Sequence, residues 1–206
     1  LFGRGLLMNL LLGLMILLVT SVTYASPFIA VMIDQKTEKE LGDFPYTRDR
    51  TAKVIEKLIE AKSKAIVLKF FVDLKKDEKL DNQLADVMKK IPVFLQARFD
   101  IEEEKPNHLD SKFNYNKETK GNIQNLMSGK SGWIPTPKFL ENSAGIGFVD
   151  AFEQKEMKFF PLVVKYQDNI YPSLQLAILN FIIGRKVIID IGKDANNKGK
   201  KVNIND

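Results

Sequence analysis

The chain contains no cysteine and a single histidine, His108. Without thiols there can be no disulfide, no thiolate metal centre and no cysteine nucleophile. A zinc site built from the usual nitrogen and sulfur donors lacks its ligands. His108 stands in an acidic, proline-containing stretch, which leaves no imidazole for a Ser-His-Asp relay. Phosphate-cradling glycine patterns of the P-loop or dinucleotide type are missing as well. Glu102–Glu104 brings carboxylates together, but in a polar stretch without the apolar setting that prepares a general acid. Nor is the charge one-sided: 31 Lys and Arg stand against 26 Asp and Glu, a net +5. The excess is small and dispersed, so it reads as a solvated surface and not as a nucleic-acid site.

What is present is an ordinary globular composition, 45% hydrophobic and 28% charged over 206 residues. That is enough for one domain with a leader. The one long apolar run, Leu6–Val22, follows Arg4 and leads to Thr23-Tyr24-Ala25-Ser26. A positive start, an apolar stretch and a small residue before the break are features of a secretory signal. The competing reading is an uncleaved membrane anchor, because about 17 to 25 apolar residues can span a bilayer. The shortness of the run and the nearness of the fold favour cleavage after Ala25. Residues 1–25 are thus a signal peptide or N-terminal anchor, and 26–206 the exported domain, in a periplasmic or other extracytoplasmic space.

Along the mature chain, Phe28–Asp34 is a short apolar run that predicts a buried strand ending in a carboxylate. Gly42, Asp43 and Pro45 mark a turn. Ala52, Ile55, Leu58 and Ile59, with Val54 and Ala61 beside them, predict one face of a helix over about 49–62. Ala65–Val72 reads as a second buried strand, completing a βαβ unit with parallel strands. A second helix is expected from about Asp77 or Asp81 to Lys90, with Leu80, Leu84, Val87, Met88 and Ile91 inward, and a third strand over Pro92–Phe99. Residues 100–132 lose all periodicity and read as a long surface insertion. Thr136 and Pro137 open a short helix. Strands follow at Ile146–Ala151, Met157–Tyr166 and Ile170–Tyr171, the last two joined by a turn at Gln167-Asp168-Asn169. Ser173–Ile183 is a final apolar helix that Gly184 ends. Lys186–Ile191 is one more strand, and the tail from Lys193 is basic and turn-like. The fold class is therefore α/β: one domain, with a central mixed, partly parallel sheet and helices packed on its faces.

Several short segments carry a likeness, the first being Phe28–Asp34, an apolar run with a terminal carboxylate that looks like an opening strand. Leu41-Gly42, Pro45 and Arg48 form a glycine, proline and arginine turn ahead of the first helix. Asp81-x-x-Leu84-Ala85 opens the second. Ile134-Pro135 leads through to Gly145-x-Gly147-Phe148-Val149, and Pro161-Leu162 precedes Tyr171-Pro172-Ser173-Leu174. In this order and spacing they resemble the CHASE-type extracellular sensory domains, specifically the second of those families. The likeness covers nearly the whole mature chain. It departs at Lys69, where the family usually carries Asp. It departs again at residues 152–158, where the family has an Asp-Gly…Arg-Arg segment. The family also continues past its final strand into transmembrane helices and an output domain, whereas this sequence stops at Asp206.

The resemblance implies a sensory, ligand-binding module of bacterial signal transduction, not an enzyme and without a cofactor. It implies a small-molecule or envelope ligand and a membrane-bound kinase or cyclase as partner. The alternative is a free-standing secreted binding or scaffolding protein uncoupled from signalling; a periplasmic hydrolase would need Asp34 or Asp150 for activity. From the residues themselves, Asp34 stands at a strand end, where open α/β sheets gather ligands. Asp73 and Asp150 are placed to join it around a hard cation, although Asp is equally the natural helix cap. Arg48 offers a planar fork to an anion or a salt bridge pinning the helix start. Lys69, in an apolar run, requires a partner if buried; otherwise it faces water from an edge strand. The tentative ligand-binding set is thus Asp34, Arg48, Lys69 and Asp150, with no metal.

Overall fold

In a computed structural model the residues that can be described are 28–42, 44–100, 109–154, 157–191 and 202–205. The leader, His108 and the Glu102–Glu104 run lie outside them. The chain divides into two compact units, residues 1–44 and 45–206.

In the first unit Phe28–Asp34 is not a strand. It has no regular structure and lies exposed. Asp34 instead caps a helix that periodicity did not reveal, α1 (Gln35–Leu41). Its carboxylate accepts from the Thr37 amide at 2.8 Å and the Thr37 hydroxyl at 2.7 Å. Good helix formers follow the cap, and Gly42, at φ 86°, closes the helix by donating to the Glu38 carbonyl.

The second unit begins with α2 (Arg48–Glu60), then β1 (Ile66–Leu68), α3 (Glu78–Met88) and β2 (Val93–Asp100). The parallel βαβ unit is therefore β1–α3–β2, and the one expected around α2 is absent. β1 pairs with the start of β2, Ile66 opposite Val93. Ala65–Val72 is cut to three strand residues because Lys69 faces water and the chain then leaves the ladder. α3 starts where Asp77 caps it, accepting from the Leu80 amide at 3.0 Å.

After residue 108 a 3₁₀ turn (Ser111–Phe113) leads to β3 (Thr119–Gly121), a second such turn (Ile123–Asn125), β4 (Ser128–Gly129) and β5 (Ser131–Trp133). Leu109 and Tyr115 in this stretch are buried. Next come α4 (Pro137–Glu141), β6 (Gly145–Phe148) and a small hairpin of β7 (Phe152–Gln154) and β8 (Met157–Phe159). The single strand expected over Met157–Tyr166 is broken before β9 (Val163–Tyr166). Pro161 lies in the break and has no amide to offer a ladder. β10 (Asn169–Pro172) returns antiparallel on β9, with Gln167 at φ 53° in the turn between them. α5 (Leu174–Ile183) and β11 (Ile188–Ile191) follow, and β12 (Val202–Asn205) pairs antiparallel with β11. This end of the tail is thus a strand and not a turn.

β2 is the organiser. It is parallel to β1 and to β6, and antiparallel to β5 at its C-terminal end. Alternation along a strand sends successive side chains to opposite faces. Val93 and Leu95, with Ile66 and Leu68, meet Ala52 and Ile55 of α2 and Leu84, Ala85 and Met88 of α3. Burying one such aliphatic side chain contributes about 1.5–3 kcal/mol. Phe94 and the half-buried Val67 instead meet Leu174 and Ala177 of α5. The sheet is mixed, with helices on both faces, and the fold class is the α/β expected. Val54 and Ala61 fall outside the buried face of α2.

α5 can lie close because of one glycine. A Cβ on Gly147 would come 2.2 Å from the Leu174 amide nitrogen and 2.4 Å from the Ser173 carbonyl carbon. Ser173 caps the helix, its hydroxyl accepting from Leu176. Gly184, in the left-handed region at φ 72°, ends it.

Candidate functional site

The C-terminal end of β2 is where the sheet opens. Ala97 and Phe99 point into the core, where the Phe99 ring lies 4.7 Å from Phe148 and 6.3 Å from Tyr166. By alternation Arg98 and Asp100 point to the other face. Opposite Arg98 in the antiparallel register stands Trp133 of β5. Directly opposed residues share a face, and the Arg98 guanidinium lies 5.6 Å from the centre of the Trp133 ring. The indole N–H donates to the Asp100 carboxylate at 3.0 Å, and Phe71 meets the indole edge-on at 4.9 Å. Trp133 remains 41% exposed.

Asp150 completes the cluster from the end of β6. The Val149 amide still donates to the Ala97 carbonyl. One step further the backbone has left the ladder, and the Asp150 carboxylate takes the Phe99 amide at 3.1 and 3.2 Å. Burial pushes its carboxyl up from the ordinary value, opposed by the Phe99 amide and by Arg98. Arg98 approaches it at only 3.8 Å, with side chains 56% and 11% exposed respectively. The result is a guanidinium, two carboxylates and an aromatic face at the C-terminal ends of parallel strands, the end at which α/β sheets take ligands.

Of the four residues anticipated from sequence, Asp150 belongs to this cluster. Arg48 is tied inside: its Nε meets Asp81 at 3.1 Å, its Nη2 donates to the Leu74 carbonyl at 3.0 Å, and it lies 5.2 Å from the Phe139 ring centre. Asp81 also accepts from the Lys76 amide at 3.0 Å, so this pair fastens α2, α3 and the loop before α3. Lys69 is exposed just beyond β1 and is not a buried ammonium. Asp34 is the exposed cap of α1, its carboxyl held below the ordinary value chiefly by the Thr37 hydroxyl. Among the described residues no cluster of acidic residues and histidine is arranged to hold a metal ion. Arg98 and Asp100 were not singled out from sequence. Their signal was the polar alternation Gln96-x-Arg98-x-Asp100 at the end of an otherwise apolar strand.

Compared with known families, residues 5–204 match the model of the CHASE2 domain. The chain belongs to the CHASE2 family. CHASE2 domains are extracytoplasmic sensory domains, so this one is a sensory domain of signal transduction and not a member of a catalytic family. No curated protein and no solved structure matches it significantly. Two of the fragments that suggested the family meet in space, since Arg48 of the first and Asp81 of the second form the buried ion pair. Two others meet at Gly147, where the Ser173-Leu174 backbone abuts the Gly-Phe-Val strand. No helix among the described residues is long and apolar enough to cross a membrane.

Proposed function

We propose that this CHASE2 domain senses a small polar molecule at the open end of β2, without catalysis of its own. The supporting observation is the loosely held Arg98, half-exposed over a half-exposed indole and 3.8 Å from a carboxylate. A guanidinium in that setting loses little by exchanging its partner, because an exposed ion pair is worth only about 0.2–1 kcal/mol. One cation, two carboxylates and an aromatic face complement a zwitterion of amino-acid size. The leader delivers the domain outside the membrane and, uncleaved, anchors it there. Binding biases one of two arrangements, and a membrane-bound kinase or cyclase reads that bias.

Trp133 is the sole tryptophan, so its fluorescence reports this site directly. Titration with the common L-amino acids should give a saturable change for at least one of them, lost in Arg98→Gln. A flat response to all, or one unaltered in Arg98→Gln, rules the reading out.

A further inference from the structure

A concavity of about 510 Å³ lies at the other end of the sheet, away from Trp133, Arg98 and Asp150. Phe94, Phe113 and Phe181 supply aromatic surface to it, with Phe94 and Phe181 edge-to-face at 5.3 Å. Its mouth carries Lys112, Arg185 and Lys186, and among the described residues no carboxylate lines it. The volume falls within the range of small-molecule sites, which combine apolar walls with a few placed polar groups.

The cations differ in how far they are neutralised. Lys186 pairs with Glu118 at 3.3 Å and donates to the Asn114 carbonyl at 3.1 Å. Among the described residues Lys112 donates to the backbone carbonyls of Leu140 at 3.1 Å and Glu141 at 3.5 Å, and it lies 4.6 Å from the Phe113 ring centre. Arg185 is exposed, and no carboxylate pairs with it among the described residues. Cations after a helix C-terminus have a structural use, because they complement the dipole. Arg185 and Lys186 serve α5 in this way, and Lys112, arriving from a separate turn, serves the last carbonyls of α4. Yet among the described residues neither Lys112 nor Arg185 has a carboxylate partner, and both line the same space.

The frame around them is stiff. The buried Tyr115 hydroxyl donates to the Val187 carbonyl at 2.6 Å, while the Asn180 amide group donates to that hydroxyl at 3.1 Å. Asn180 in turn accepts from the Val187 amide at 2.9 Å. These bonds fix the end of α5 against the chain leading into β11, so the mouth is held in place before anything binds. From this geometry we infer that the groove binds a small aromatic monocarboxylate, its ring among Phe94, Phe113 and Phe181 and its carboxylate between Lys112 and Arg185.

The inference does not depend on the Arg98 site, and one experiment separates them. Benzoate is titrated into the full chain by calorimetry, with benzyl alcohol, inorganic phosphate and vesicles of anionic phospholipid as comparators. Benzoate should bind in one-to-one ratio. It should be weakened roughly tenfold by Arg185→Gln, the loss expected for one charged hydrogen bond. Phe181→Ser, checked for folding by circular dichroism, should weaken it too, and Arg98→Gln should leave it unchanged. Benzyl alcohol and phosphate should each bind more weakly than benzoate. The inference is overturned by lack of saturable benzoate binding, by binding indifferent to Arg185→Gln and Phe181→Ser, or by phosphate binding equally well. Capture by vesicles without benzoate binding would make the groove a lipid-facing surface and overturn it equally.

Discussion

Two arginine–aspartate pairs sit in this domain under opposite conditions. Arg48 and Asp81 are each 6% exposed and 3.1 Å apart, and each is held further by backbone groups. Arg98 and Asp150 are 3.8 Å apart, and the arginine is 56% exposed. The same two residue types therefore make a fastening in one place and an exchangeable contact in the other. Burial and the surrounding backbone decide which. A buried pair cannot lose one member without stranding a charge in a poorly solvated interior. A guanidinium that is itself half-exposed gives up its partner to water or ligand at small cost, while Asp150, mostly buried, keeps the Phe99 amide.

Breaking the closed pair should have the largest effect. Arg48→Met leaves Asp81 buried without its cation and should lower unfolding stability by about 3–5 kcal/mol in urea titration. Removing both charges in Arg48→Met/Asp81→Leu should recover much of that loss, because the penalty lies in the orphaned charge. A double variant no better than the single one would show that the pair itself, and not the orphaned charge, carries the stability.

The open end is sharpened by pH. The Asp150 carboxyl lies above its ordinary value of 3.8 because of burial. A raised carboxyl binds its proton more tightly in the folded state than in the unfolded one. Its contribution is thus most favourable in acid and is lost as pH rises through the folded-state value. Asp150→Asn keeps an acceptor for the Phe99 amide without the titration. Melting temperatures of the two proteins compared from acidic to neutral pH should move in favour of Asp150→Asn as pH rises. A difference that stays constant, or moves the other way, contradicts the assignment. The smallest effect is expected for Arg98→Met, which should change stability by no more than about 1 kcal/mol.

These contrasts also show what the sequence could and could not convey. Helices α2 and α3 were legible because their apolar positions recur at helical spacing, with Asp77 capping α3, and α5 because Ser173 and Gly184 bracket an apolar run of helical length. Phe28–Asp34 misled because a short apolar run has no periodicity that separates a buried strand from exposed chain. The elements between Ser111 and Trp133 are mostly two or three residues long and exist through pairing with distant strands. No local pattern announces such strands.

The site was half legible for a related reason. Asp150 could be placed at a strand end, since β6 was clear from its apolar run. Arg98 and Asp100 take their meaning from β5, which brings Trp133 opposite Arg98 only after a connection of some thirty residues. Arg48 was visible as unusual, but whether its fork faced a ligand or Asp81 depended on the packing of α2 against α3. Lys69 sits in the middle of an apolar run, yet it lies outside the strand because β1 ends at Leu68.

Sensing at the end of β2 requires that this end be open and that Arg98 cover the indole. Acrylamide quenching of Trp133 fluorescence tests both, since no other tryptophan contributes. Trp133 should be quenched readily in the native protein, and more readily in Arg98→Met, where the guanidinium no longer shields the ring. An indole as protected as one in a core, or identical quenching in the two proteins, would contradict it.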